Sequence, residues 1–154
     1  VLAVAIGIPP ETIAAGVVHA RLPGMRSKVT RLDGVTYVND AYNANPGSMR
    51  AALANLAEFA DPARLVLVLG EMRELGGSEA AEHRALVENA LQTFPGVRLL
   101  TVGRAFGECP GALRFDRSEE VRETLAKLVR DGDLVFAKGS RGIAVELALP
   151  EAAR

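Results

Sequence analysis

Three short apolar runs dominate this chain, and each stops at or beside a glycine. Leu65–Leu69 ends at Gly70, Leu99–Val102 at Gly103, and Leu134–Ala137 at Lys138-Gly139. An alternating strand shows one face to water, whereas a continuous apolar run is buried on both faces, as a parallel strand covered by helices is. The intervening segments can supply those helices. Met49, Ala52, Leu53, Leu56 and Ala60 recur at helical spacing after Asn45-Pro46, an N-cap followed by proline at the first helical position. Ser78 is placed to cap a helix running to about Phe94. Ser118 is placed to cap another, with Val121, Leu125, Leu128 and Val129 inward and Gly132 as its stop. Arg141–Leu149 is expected as a last helix, closed by Pro150.

Two β-rich stretches, Lys28–Leu32 and Val35–Asn39, flank Asp33-Gly34, a dipeptide suited to a type I′ turn, and so predict an antiparallel hairpin. The expected class is therefore α/β: a Rossmann-like, mostly parallel sheet with an antiparallel edge hairpin and helices on both faces. The first residues stand apart from this pattern. Val1–Ile8 reads as the end of a buried helix whose beginning is missing, and Pro10-Glu11-Thr12 opens a short helix to about Ala20. Leu22-Pro23-Gly24 is a turn that suits a domain boundary, which divides the chain into residues 1–24 and 25–154.

At 154 residues, 49% apolar and with a net charge of -1, the chain suits one folded domain rather than a disordered one. That charge gives no electrostatic reason to expect nucleic acid or an anionic membrane as partner. No apolar run approaches the roughly 20 residues that a bilayer span needs, and the apolar start lacks the basic region of a signal peptide. A single cysteine, Cys109, excludes an internal disulfide and a multi-thiolate zinc site, and it fits a reducing compartment.

Ligands of parallel sheets bind beyond the carboxyl ends of the strands. That rule selects Asn39–Asn45, Gly70–Arg73, Gly103–Arg104 and Lys138–Arg141. In NDAYNANPGSM, residues 39–49, a strand ends and a helix begins, so Asp40 could hold a ribose diol beside N–H groups that attract anions. The same residues could equally form an Asn-rich turn with a cap and no ligand. LGEMRELGGS, residues 69–78, brings Glu71, Arg73 and Glu74 to a loop that reads as solvated unless other context speaks for it. His83 beyond it reads as a helix-surface imidazole. KGSRG, residues 138–142, sets Lys138, Ser140 and Arg141 at a strand end, where two cations beside free N–H groups suit a carboxylate or phosphate. The chain has no G-x-x-x-x-G-K-[ST] phosphate loop, no dinucleotide fingerprint, no metal-spaced cluster and no Gly-x-Ser-x-Gly elbow.

Taken in order, NDAYNANPGSMRAAL, LGEMRELG and KGSRG resemble the signatures of the third domain of the Mur ligases, and LPGMR, residues 22–26, resembles that family's linker. The likeness covers nearly the whole chain. Within the family it lies nearest the members that add D-alanyl-D-alanine, since sister ligases carry other residues after this strand, such as a Tyr-x-His pattern. The resemblance implies a bacterial, cytoplasmic, ATP-dependent ligase of peptidoglycan synthesis. There ATP phosphorylates the terminal carboxylate of UDP-N-acetylmuramoyl-tripeptide, and the amine of D-alanyl-D-alanine attacks the acyl phosphate. It further implies that the phosphate loop and the Mg2+ ligands lie in a central domain, of which residues 1–24 are the tail, and that the UDP site lies in a first domain. This fragment would then be inactive alone.

Residue by residue, Arg26 resembles the arginine that reaches ATP and Asp40 the aspartate that binds ribose, while Asn43 and Asn45 belong to the same nucleotide signature. Tyr42, Arg73, Lys138, Ser140 and Arg141 are assigned to the dipeptide, with Lys138 or Arg141 as the clamp for its carboxylate. No residue of the fragment is expected to be catalytic or to ligate metal. Two other readings stay open: the same domain from a Mur-type ligase that adds a different amino acid or peptide, and a free-standing Rossmann-like nucleotide-binding module.

Overall fold

A computed structural model of the chain describes residues 25–154 together with Pro9 and Thr12. The helix end at Val1–Ile8, the helix from Pro10 to Ala20 and the turn at Leu22-Pro23-Gly24 lie outside the described residues, as does the division at residue 24. The hairpin forms where its turn dipeptide puts it. Strand β1 (Lys28–Leu32) pairs antiparallel with β2 (Val35–Asp40), Leu32 opposite Val35 and Lys28 opposite Asn39. Asp33 and Gly34 both take positive φ, +49° and +76°, as a type I′ turn demands of its two central residues.

The chain then runs through α1 (Pro46–Ala57), β3 (Leu65–Gly70), α2 (Glu79–Thr93), β4 (Arg98–Val102), β5 (Ala112–Phe115), α3 (Ser118–Leu128) and β6 (Leu134–Lys138). All six strands join one sheet in the order β1-β2-β6-β3-β4-β5, parallel everywhere except at the hairpin. The last strand in sequence thus enters between β2 and β3, which sets the ends of β2, β6, β3 and β4 side by side. β5 was not expected. It is only four residues long, at the far edge, with Leu113 facing solvent, so it leaves no apolar run to notice.

β3 shows why a continuous apolar run needs two covers. Leu65, Leu67 and Leu69 pack with Met49, Leu53 and Leu56 of α1 and Leu86, Val87 and Ala90 of α2. Val66 and Val68 face the other way, into Val121 and Leu125 of α3 together with Val145, Ala148 and Leu149. Each leucine fully withdrawn from water contributes roughly 2 kcal/mol to holding a helix on its face.

Four expectations about helices fail, wholly or in part, for local reasons. Arg141–Leu149 is not an α-helix but two short 3-10 turns, Arg141–Ile143 and Val145–Ala148, with Ala144 between them in the left-handed region at φ +53°. That kink aims Val145 into the seam where β3 and β6 end. There Gly70 and Gly139 pass so close that a Cβ on Gly139 would sit 2.9 Å from the Gly70 Cα. Ser118 is the first helical residue of α3 rather than its cap. Its hydroxyl donates to the Ile143 carbonyl at 2.7 Å, while extended Arg117 takes the cap position. Ser78 does hold the cap position of α2 but makes no side-chain cap bond, because a 3-10 turn at Gly76–Ser78 directs its hydroxyl back to the Leu75 carbonyl. Helix α3 ends at Leu128, and Gly132 serves a later turn, donating its N–H to the Gly34 carbonyl.

Candidate functional site

Asp40 and Lys138 close their parallel strands as register partners, so their side chains leave the sheet together. Lys138 Nζ lies 2.7 Å from Asp40 Oδ2 and also donates to the Asn43 carbonyl at 3.0 Å. The other oxygen, Asp40 Oδ1, accepts the Ser27 N–H at 3.0 Å. Ser27 and Met25 both have positive φ, and the Met25 carbonyl accepts the Tyr42 N–H. Residues 25–27 are therefore tied along the strand-to-helix loop 41–45. Arg26 sits over the Tyr42 ring, its Cζ 4.2 Å from the ring centre, a geometry that attracts cation to π face.

The loop itself is organised from within. Asn43 Oδ1 accepts the Ala44 N–H, and Asn45 caps α1 through a bond from the Ser48 N–H that the Ser48 hydroxyl returns. Ser140 then joins two loops. Its hydroxyl accepts the Arg73 N–H at 2.9 Å and donates to the Ala44 carbonyl at 3.2 Å. Arg141 is the freer cation of the KGSRG turn, with its side chain 60% exposed, 3.4 Å from Glu146 and touching the Met25 sulfur.

Three concavities lie along this rim. A cleft of about 400 Å³ gathers Asn43, Asn45, Arg73, Ser140 and Arg141, five of the nine residues singled out from the sequence. Asp40 and Lys138 instead end an apolar groove of about 550 Å³ that runs along β2 past Val38, Leu56 and Phe59. Tyr42 and Arg26 line neither. The third and largest concavity, about 630 Å³, lies over the ends of β3 and β4, between Glu71, Arg73, Arg104 and the start of α3. Arg73 borders this cleft and the 400 Å³ one. Its guanidinium carbon lies 3.2 Å from where a Cβ on Gly142 would be, so the wall between the clefts is one arginine laid on a glycine.

Sequence reasoning missed Ser27, Gly142 and the Asp116–Glu120 rim of the large cleft. Gly142 closes the KGSRG segment but was given no role there, the others belong to no motif, and only the strand order brings them together at this end. It also misplaced His83, which is fully buried. His83 Nε2 accepts the Met72 N–H at 2.9 Å, so its proton sits on Nδ1, which donates to the Glu79 carbonyl at 2.7 Å. The ring meets Phe106 edge to face at 4.6 Å. This imidazole holds the 71–78 loop to α2 because the buried Met72 amide needs an acceptor.

Residues 25–141 match the family described as Mur ligase, glutamate ligase domain. The UDP-N-acetylmuramoyl-tripeptide--D-alanyl-D-alanine ligase of Treponema pallidum is 34% identical over 97% of this chain and 34% of that protein. Among solved structures, MurF from Acinetobacter baumannii superposes with a TM-score of 0.80 at 28% identity, covering 96% of this chain and 34% of that one. MurF ligase from Thermotoga maritima, in complex with ADP, gives 0.73 at 26% identity over 90% and 34%. The chain spans about a third of the length of the relatives it matches.

Proposed function

This chain belongs to the Mur ligase family, as its glutamate ligase domain, and on that premise we propose that it is the C-terminal domain of an ATP-dependent, D-alanyl-D-alanine-adding ligase. The carrying observation is the agreement between a strand-end carboxylate fixed at Asp40 and relatives that bear this ligase's name along nearly the whole chain. In this reading ATP phosphorylates the terminal carboxylate of UDP-N-acetylmuramoyl-tripeptide. The neutral amine of D-alanyl-D-alanine attacks the acyl carbon, and phosphate leaves from the tetrahedral intermediate as the amide forms. The domain contributes placement: a nucleotide held on one side and an amine brought to the carbonyl on the other.

Asp40 accepts the ribose hydroxyls and Arg26 reaches the phosphates, with Asn43 and Asn45 shaping the loop between them. Arg141 and Arg73, both exposed and bordering one cleft, supply the cations for the dipeptide carboxylate, and Tyr42, outside that cleft and under Arg26, is assigned to the same substrate. Among the described residues no group of three His, Cys, Asp or Glu side chains could hold a metal ion, and Mg2+ is assigned to the central domain. No described helix is long and apolar enough to cross a membrane. A cytoplasmic site follows from the UDP-linked precursor.

The test compares the full-length ligase with this chain alone, following phosphate release. The expected result is release that depends on D-alanyl-D-alanine with the former and none with the latter. Turnover by the chain alone would overturn the division of labour. A full-length enzyme that took glutamate or diaminopimelate and refused the dipeptide would move the assignment to a sister ligase.

A further inference from the structure

We infer that Lys138 is a positioning residue for the nucleotide side of the site and not a contact for the dipeptide. This rests on the reading of Asp40 as the ribose ligand. The lysine is 5% exposed, and two of its three N–H donors are already used, one by Asp40 Oδ2 and one by the Asn43 carbonyl. A substrate carboxylate would have to share the little of the ammonium that is exposed with Asp40, and displacing Asp40 would leave that carboxylate half-buried and without its counter-charge.

The same two bonds give Lys138 a different task. It fixes which Asp40 oxygen faces the strand and which faces residues 25–27, and it pins the backbone of the loop that ends in the Asn45 cap. Strand register makes this possible: Asp40 and Lys138 are direct neighbours across parallel strands, so the lysine reaches the carboxylate without turning. Arg141, three residues on, has most of its side chain in solvent and borders the 400 Å³ cleft. The KGSRG turn thus serves both sides: its lysine points to the nucleotide loop, its serine ties the loops together, and its arginine is left for the carboxylate.

The experiment is steady-state kinetics on the full-length ligase with Asp40→Asn, Lys138→Met, Lys138→Gln and Arg141→Met, varying ATP and dipeptide separately. The expected effect of Lys138→Met is a rise of about tenfold in the KM for ATP, the scale of one charge-assisted hydrogen bond. The KM for D-alanyl-D-alanine, and the preference for it over its C-terminal amide, should stay within about twofold, and Lys138→Met should add little in an Asp40→Asn background because both changes act on one pair. Lys138→Gln, which keeps a donor, should fall between, and it carries the test if the methionine variant fails to fold.

Loss of the acid-over-amide preference in either lysine variant would make Lys138 the clamp and overturn the inference. If Asp40→Asn raises the KM for ATP and the lysine variants do not, Asp40 keeps its role and Lys138 loses this one. If Asp40→Asn leaves that KM unchanged, the reading of Asp40 fails and the positioning role fails with it.

Discussion

Strand β6 carries an ion pair at each end. Lys138, its last residue, meets Asp40; Asp133, just before its first, meets Arg98; both N–O distances are 2.7 Å. The chemistry is the same, but the surroundings differ. The Asp133 side chain is 1% exposed and also accepts the Arg130 N–H, while Arg98 donates to the Leu128 carbonyl. All these groups close the floor of the sheet, where α3 returns to β6, and neither partner borders a cleft described above. The Asp40 pair ends a groove and holds a loop over it. A buried ion pair therefore does not mark a binding site by its burial or its geometry. What separates the two is whether the partners themselves line a concavity: Asp40 and Lys138 do, whereas the cavity of about 460 Å³ near the other end is lined by Arg130 and Asp131 and by neither Asp133 nor Arg98.

The largest expected effect tests the structural end. Asp133→Ala leaves Arg98 without its counter-charge and the Arg130 amide without its acceptor, and breaking such a pair costs about 3 kcal/mol in denaturant unfolding. The KM for ATP of the full-length ligase should not change; if it does, the distinction between the two ends is gone. Ser140→Ala should cost somewhat less, about 1–3 kcal/mol, for stranding the Arg73 amide and the Ala44 carbonyl. Unlike Asp133→Ala it should also alter the KM for the dipeptide, because Arg73 is positioned through that bond.

The smallest effect concerns pH. Burial alone would raise the Asp133 carboxyl, but the Arg98 guanidinium and the Arg130 N–H outweigh burial and hold it below the usual carboxylate range. A group whose folded pKa is depressed gives stability that is complete above its unfolded pKa, about 3.9 for aspartate, and is lost as pH falls through the folded value. The stability gap between wild type and Asp133→Asn, followed by thermal unfolding, should hold from neutrality down to about pH 4 and narrow below it. A gap that closed at higher pH would place its origin elsewhere.

What could be read from the sequence was local. Asp33-Gly34 specifies its turn, Asn45-Pro46 starts its helix, and the run at Leu65–Leu69 declares a strand with two buried faces. Each of these signals lies within a few residues of what it controls. What escaped depends on strand order. Lys138 looks like a free cation until a carboxylate 98 positions away becomes its neighbour. Ser118 resembles a cap until Ile143 arrives beside it, and His83 looks solvated until the Met72 amide needs an acceptor. The segment after Gly142 has helical composition, but the glycine seam requires Val145 to turn inward. Motifs thus picked out side chains that the fold brings to one rim of the sheet, and overstated how many of them are open.

That glycine seam also restricts how the sequence can drift over generations. A Cβ on Gly70 would lie 3.2 Å from the Gly139 Cα, one on Gly139 would lie 2.9 Å from the Gly70 Cα, and both would strike Val145. The sharpest clash at each position is with the Val145 side chain, and behind it stands backbone, which steps aside less readily than a side chain does. Any single replacement at either position must part the ends of β3 and β6, and with them the Ser140 N–H to Glu71 carbonyl bond that crosses between them. Nor would shrinking Val145 alone prepare the way at Gly139, because the 2.9 Å contact with the Gly70 Cα would remain. A descendant lineage can vary Gly77, where an added methyl meets nothing within 4 Å, but the seam offers no path of tolerated single steps. The two glycines are an inheritance that the binding rim cannot revise one mutation at a time.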